Sequence, residues 1–304
     1  MELSNDMFEK LPKDEKTSDE IVRPNLTYWQ DVWKRLKQNK LALSGLIFII
    51  IISLAAILGP IFSQYNYYTQ DLSIANQGPS SMHWLGTDKF GRDLLVRILY
   101  GARISLTVGF VASILNIIIG VLYGGIAGYC GGKVDLVMMR IVDVLYSIPM
   151  TIYVILLMVT FGASLKTIVI ALAISFWLTM ARIVRGQIMT LKEQEFILAA
   201  KTLGASPTRI LLRHLIPNCM GPIIVTLTLS IPEAIFTESF LSFIGLGISA
   251  PQASWGTLAS DAVESFQLYP TQLLFPALAI CLTILAFNLL GDGLRDSLDP
   301  KMRK

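Results

Sequence analysis

Apolar residues in this chain come in long unbroken runs, and the polar residues gather between them. The first 40 residues are polar and mixed in charge. Residues 41–62 then read LALSGLIFIIIISLAAILGPIF, enough to cross about 30 Å of hydrocarbon as a helix. The run starts later and is longer than the core of a secretory signal, so it predicts an uncleaved membrane helix. Five further runs follow: residues 104–128, residues 141–162 interrupted by Pro149, the short run 167–181, residues 220–243 with Pro222 and Pro232, and residues 271–290. The pattern predicts an all-α membrane protein with six spans. It divides the chain into an N-terminal segment (1–40), a first span (41–62), an outer loop with an interfacial helix (63–103), a core of five spans (104–292) and a tail (293–304). No repeat of fixed period is visible.

Composition agrees. Hydrophobic residues make up 53% of the 304 and charged residues 15%, against roughly 25% charged in soluble domains. That excludes a soluble enzyme, a disulfide-stapled module and a disordered tail protein. A net charge of +3 gives no reason to expect nucleic acid as a partner. The placement of charge sets an orientation. With both termini in the cytoplasm, 20 of the 25 Lys and Arg residues fall inside, and only Lys89, Arg92, Arg97, Arg103 and Lys166 fall outside. The positive-inside rule favours that arrangement.

Little in the chain suggests chemistry of its own. Cys130, Cys219 and Cys281 have no metal-ligand spacing. His83 and His214 lie far apart, giving neither a zinc set nor a His-centred acid–base pair. Residues 128–133 fail as a phosphate-binding loop, because Ala127 stands where the leading glycine belongs and Val134 where Ser or Thr belongs. Gly245-x-Gly247-x-x-Ala250 mimics a dinucleotide fingerprint but lacks its strand–turn–helix setting. Asn25-Leu26-Thr27 fits a glycosylation pattern on the side expected to be cytoplasmic. No metal or cofactor is expected on this chain.

The loop at residues 182–219 carries more information. Glu193 and Glu195 suit the first turn of a helix, continued by Phe196, Ile197, Ala199, Ala200 and Leu203. Gly204 supplies a left-handed stop. Ser206 before Pro207 reads as an N-cap followed by proline at the first helical position. A second short helix exposes Arg209 and Arg213, and Pro217 marks its end or the next span. Two readings stay open on these residues: a basic loop lying on an anionic leaflet, or a knob that docks a cytoplasmic partner.

This loop resembles the coupling motif of ATP-binding-cassette importer permeases: Glu-Ala-Ala, three residues, Gly, nine residues, Ile-x-Leu-Pro. Ala199, Ala200, Gly204 and Pro217 match at the right spacings. Leu198 stands where the motif has Glu, His214 where it has Ile, and Ile216 where it has Leu. Two more stretches resemble the oligopeptide and dipeptide branch of the family. One is its Gly-Thr-Asp-x-x-Gly-Arg-Asp signature, at Gly86, Thr87, Asp88, Gly91, Arg92 and Asp93. The other is residues 239–257, SFLSFIGLGISAPQASWGT. The resemblance runs from about Trp33 onward and is closest to a C-type permease subunit. It implies a type I importer fold in a bacterial inner membrane and a heterodimer with a related permease subunit. It also implies two cytoplasmic ATPases carrying ATP and Mg, and an extracytoplasmic peptide-binding protein. Coupling to an ATPase would then fall to Glu195, Leu198, Ala199, Ala200, Gly204, Ala205, Ser206, Pro207, Arg209, Arg213 and Pro217. A nickel or other-substrate permease of the same branch is the nearest alternative, and an ion-coupled secondary transporter a more distant one.

Three further features have their own physics. On a helical wheel Leu94, Leu95, Ile98, Leu99 and Ala102 share one face, and Arg92, Asp93, Arg97, Tyr100 and Arg103 the other. That predicts an interfacial helix with arginines snorkelling to head groups. Gly120, Gly124 and Gly128 form a ridge for close helix packing, against this chain or another subunit. Acids inside spans are functional suspects. Asp143 is near the end of one span, while Glu233 and Glu238 follow Pro232. Those two either line a water-filled path or face outside water beyond a helix that stops at the proline.

Overall fold

The computed structural model describes residues 27–299, so the Asn25-Leu26 part of the glycosylation pattern and the charges of 1–26 and 300–304 lie outside the described residues. Helix α1 (Tyr28–Gln38) is amphipathic and turns Val32 and Leu36 inward. Asn39 then caps α2 (Lys40–Phe62), accepting from the Ala42 N–H at 3.1 Å. After a polar segment come α3 (Leu94–Cys130), α4 (Gly132–Ser147), α5 (Met150–Phe161), α6 (Leu165–Leu191), α7 (Glu195–Thr202) and α8 (Pro207–Ile210). A π-helical turn at Leu211–Leu215 leads through α9 (Ile216–Asn218) into α10 (Met220–Leu241), followed by α11 (Trp255–Val263) and α12 (Pro270–Leu298). Among the described residues five helices are long and apolar enough to cross a membrane, and a bent pair, α4 with α5, brings the number to as many as six. The described residues contain no strand, only an isolated bridge between Thr87 and Asp93.

Several sequence expectations change. The division near residue 103 disappears: the expected interfacial helix is the start of α3, which runs 37 residues without interruption. At 1.5 Å per residue α3 is about 55 Å long, well beyond the hydrocarbon core. Arg92 and Arg97 do not snorkel. They are 4% and 3% exposed, because an acid cluster described below neutralises them inside the protein. The span expected at 141–162 is two helices bent by 78°. Pro149, which lacks an N–H and disfavours helix at Ile148 before it, sits at the break. The span expected at 167–181 extends to 27 residues, so residues 182–191 of the expected loop belong to α6. Helix α10 does not stop at Pro232 but runs on to Leu241. The last span likewise continues beyond 290, to Leu298.

The glycine ridge packs within this chain. A Cβ on Gly124 would collide with the Ala181 carbonyl, one on Gly120 would lie 2.6 Å from Met180 Cβ, and one on Gly128 would lie 2.8 Å from the Arg185 carbonyl oxygen. Helices α3 and α6 therefore touch backbone to backbone. Around them α2, α3, α10, α11 and α12 bury one core on Trp255. The Trp255 indole donates to the Ile98 carbonyl at 3.0 Å, so its polar edge is satisfied. A second core joins α3, α5, α6 and α10. A third, at the end of α3 near Gly128, carries the segment from α7 to α9.

Candidate functional site

The segment between α6 and α10 is a folded knob. The Ala205 N–H donates to the Ala200 carbonyl at 3.0 Å and the Gly204 N–H to the Lys201 carbonyl at 3.0 Å. These two bonds close a Schellman motif, which needs a left-handed residue at its turn. Gly204 has φ +78°, and open space surrounds the position where a Cβ would stand. The conformation, not crowding, therefore demands glycine. Ser206 follows as N-cap, with its hydroxyl 3.4 Å from the Arg209 N–H, and Pro207 starts α8. Pro217 has no N–H to offer the preceding turn, and the backbone widens into the π-turn just before it.

The knob has two faces. Ile197, Ile210, Leu211 and Leu215 are buried against Met180, Val184 and Ile188 of α6 and against Cys219 and Ile223. Glu195, Leu198, Ala199, Ser206, Pro207, Arg209, Arg213 and Pro217 are exposed, while Ala200 and Ala205 are half-buried. Leu203 stands 87% exposed at the turn and Leu198 50% exposed beside it. The tip thus presents apolar side chains between Lys201 and Arg209, held on a base continuous with α6 and α10. The surface basicity expected from the sequence is present, and the apolar tip is an addition to it.

At the far end of α3, Gly86–Asp93 forms a tight turn organised by Asp88. One carboxylate oxygen accepts from the Phe90 and Arg92 N–H groups, both at 2.9 Å. The other accepts from Arg92 Nε at 2.7 Å and from an Arg97 guanidinium nitrogen. Asp261 of α11 faces the same arginines, 3.7 Å from Arg97 and 4.0 Å from Arg92. Burial pushes the Asp261 carboxyl above its ordinary value, while Lys89 and Arg92 pull it down. Gly91, at φ +70°, lies where a Cβ would run into the Asp71 carbonyl. Thr87 accepts from the Gln77 N–H at 2.9 Å and donates to the Ile74 carbonyl at 2.5 Å. Asp93 caps α3 through the Val96 N–H and pairs with His83 at 2.9 Å. No His-centred pair is expected from the spacing of the two histidines. His83 precedes the turn by too little to suggest one, and only the fold-back brings it to Asp93. Every carboxylate of the signature is thus engaged in holding the turn and the start of α3.

The two acids after Pro232 part company. Glu238 is fully buried and accepts from Ser105 Oγ at 2.9 Å and Ser242 Oγ at 2.7 Å, with Ser254 behind Ser242 at 3.2 Å. It ties α3, α10 and the segment before α11 together. Glu233 is exposed and sits at the midpoint of residues 220–246, the 27-residue apolar stretch. An acid at the centre of a membrane helix costs about 3 kcal/mol against lipid. It lines a cavity of about 520 Å³ beside the α4–α5 bend. Asp143, also a suspect, pairs with Arg182 at 2.8 Å on an exposed surface.

Comparison with known proteins adds the family. The family model described as "Binding-protein-dependent transport system inner membrane component" matches residues 120–304. A second, "N-terminal TM domain of oligopeptide transport permease C", matches residues 27–79. The oligopeptide transport system permease protein OppC of Bacillus subtilis (strain 168) is 50% identical over 302 residues, 99% of either chain. The dipeptide transport system permease protein DppC of the same organism is 51% identical over 290 residues, 95% of this chain and 91% of that one. The OppC protein of Escherichia coli (strain K12) is 45% identical over 291 residues, 95% and 96% of the two chains. Among solved structures, an inward-facing MetNI methionine ABC transporter chain superposes with a TM-score of 0.54 at 17% identity. It covers 68% of this chain and 96% of its own length, and shows the fold alone. With such relatives the ion-coupled reading gives way, and the long apolar helices are those of a multi-pass inner-membrane protein. The chain belongs to the family of inner-membrane components of binding-protein-dependent transport systems, in its oligopeptide permease C branch.

Proposed function

We propose that this chain is a permease subunit of an ATP-driven importer for oligopeptides or dipeptides, forming the translocation path with a related permease subunit. The names of the relatives supply the substrate class. The observation that supports the mechanism is the knob: a Schellman-locked turn whose inner face is continuous with α6 and α10 and whose outer face offers Leu198 and Leu203. In this reading the knob lies in the cytoplasm and enters a groove on one of two ATPase subunits, which bind ATP and Mg. A peptide-binding protein delivers substrate at the opposite end, near the Gly86–Asp93 turn. This chain binds no cofactor and hydrolyses no ATP. Closure of the ATPases displaces the knob, and the shared core passes that displacement to the spans, a two-state movement driven from a distant site.

Gly204→Val tests it. A β-branched residue at φ +78° costs about 1–3 kcal/mol in local strain and distorts the turn. In proteoliposomes holding the whole assembly, receptor-stimulated ATPase and peptide uptake should separate, with uptake falling at least tenfold. Uptake and ATPase both at wild-type levels would refute the knob as the coupling element.

A further inference from the structure

The cavity at the α4–α5 bend has a one-sided chemistry. Its polar lining comes mainly from three long helices: Asn116 of α3, Ser175 and Thr179 of α6, and Thr226, Ser230 and Glu233 of α10, with Tyr146 of α4 beside them. Among its lining residues there is no Lys, Arg or His. Asn116 is 1% exposed, and its Oδ1 has no hydrogen-bond partner among the described residues. A buried amide oxygen left without a donor is uncommon and calls for an explanation. The neighbouring hydroxyls leave it so: Ser230 donates to the Leu227 carbonyl and contacts Ser113, and Thr226 donates to the Pro222 carbonyl. The site therefore offers a carboxylate and an unfilled acceptor and no cationic lining; Arg182, whose guanidinium lies over the ring of the lining residue Tyr146, is already paired with Asp143. At about 520 Å³ it has the size of a small-ligand pocket.

A group that suits such a lining is a primary ammonium, which carries one positive charge and three donors. Taking the peptide-importer reading as its basis, we propose that Glu233, together with Asn116 Oδ1, receives the N-terminal ammonium of a peptide in transit. The carboxylate end of the same peptide finds no counter-charge here. The cavity therefore orients its cargo and favours substrates with a free amine. Glu233 acts as a specificity-determining residue of the path, separate from the receptor that captures the peptide.

The test uses the complete assembly in proteoliposomes, with ATP inside and labelled trialanine as the probe. Glu233→Gln keeps the shape and removes the charge. It should lower the maximal rate about tenfold and leave half-saturation unchanged, since the external receptor governs capture. Glu233→Asp should recover most of the rate, a rescue that a packing role alone does not predict. Trialanine uptake by Glu233→Gln at the wild-type rate, or Glu233→Asp as slow as Gln, would overturn the proposal. If Glu233→Gln does not assemble, Thr179→Lys, at an exposed position of the same lining, places a competing cation there. That variant should lose trialanine uptake about tenfold, and wild-type uptake would again overturn the assignment. A wild-type assembly that hydrolyses ATP yet never moves trialanine fails at an earlier point, the peptide-importer reading itself.

Discussion

Asp88 shows how much structure a single side chain holds in this protein. Its two oxygens accept four hydrogen bonds, two from backbone N–H groups and two from arginines that are almost fully buried. Removing one partner of a buried ion pair leaves the other charge without compensation, which costs about 3–5 kcal/mol. Asp88→Asn keeps the shape and leaves Arg92 and Arg97 with only Asp261, at 3.7–4.0 Å. Its thermal unfolding midpoint in detergent should drop clearly. Lys89→Ala is the contrast. Lys89 bridges to Glu264, whose side chain is 79% exposed, and an exposed pair is worth about 0–1 kcal/mol. A midpoint for Asp88→Asn no lower than that for Lys89→Ala would show that the buried cluster does not hold the turn.

At the scale of elements, the apolar runs are long enough that the existence of most spans was legible before any coordinates. The ends were not, and the reasons are specific. Arg92 and Arg97 on a helical wheel look the same whether they reach for head groups or fold inward. Only Asp88 across a turn and Asp261 from α11 decide it, and the second contact is remote in sequence. Residues 182–191 read as loop because Arg182 and Arg185 interrupt the apolar run. They belong to α6 because Asp143 and Asp135 on α4 meet them. The glycine ridge was legible as a packing face, but its partner was not, since spacing alone cannot distinguish an intramolecular neighbour from another subunit. The contact with α6 supports a prediction. A side chain at Gly124 has the Ala181 carbonyl in its way, so Gly124→Leu must push α3 and α6 apart. Overpacking of this kind costs about 1–3 kcal/mol. Gly186→Leu, on α6 with open space around its Cβ position, should cost far less. Equal unfolding midpoints for the two variants would mean that the helices do not meet as described.

At the scale of the whole molecule, α3 connects the two ends: the Asp88 turn at its start and the knob core near Gly128 at its finish. A displacement of the knob acts on the spans only if its inner face stays welded to them while its outer face holds a partner. These two duties fall on different leucines. Leu215 is fully buried among α6 and α10 side chains, whereas Leu203 is 87% exposed at the turn. Leu215→Ala should therefore destabilise the isolated subunit by about 2–5 kcal/mol, the usual range for a buried leucine truncated to alanine. Leu203→Ala should leave its stability within about 0.5 kcal/mol of wild type, yet weaken co-purification with the ATPases and lower uptake. Co-purification and unfolding measured on the same two variants separate the roles. If Leu203→Ala binds the ATPases as wild type does, the exposed tip is not the docking surface. If Leu215→Ala is as stable as wild type, the knob is not rigidly joined to the spans, and force applied to it would be lost in a loose hinge.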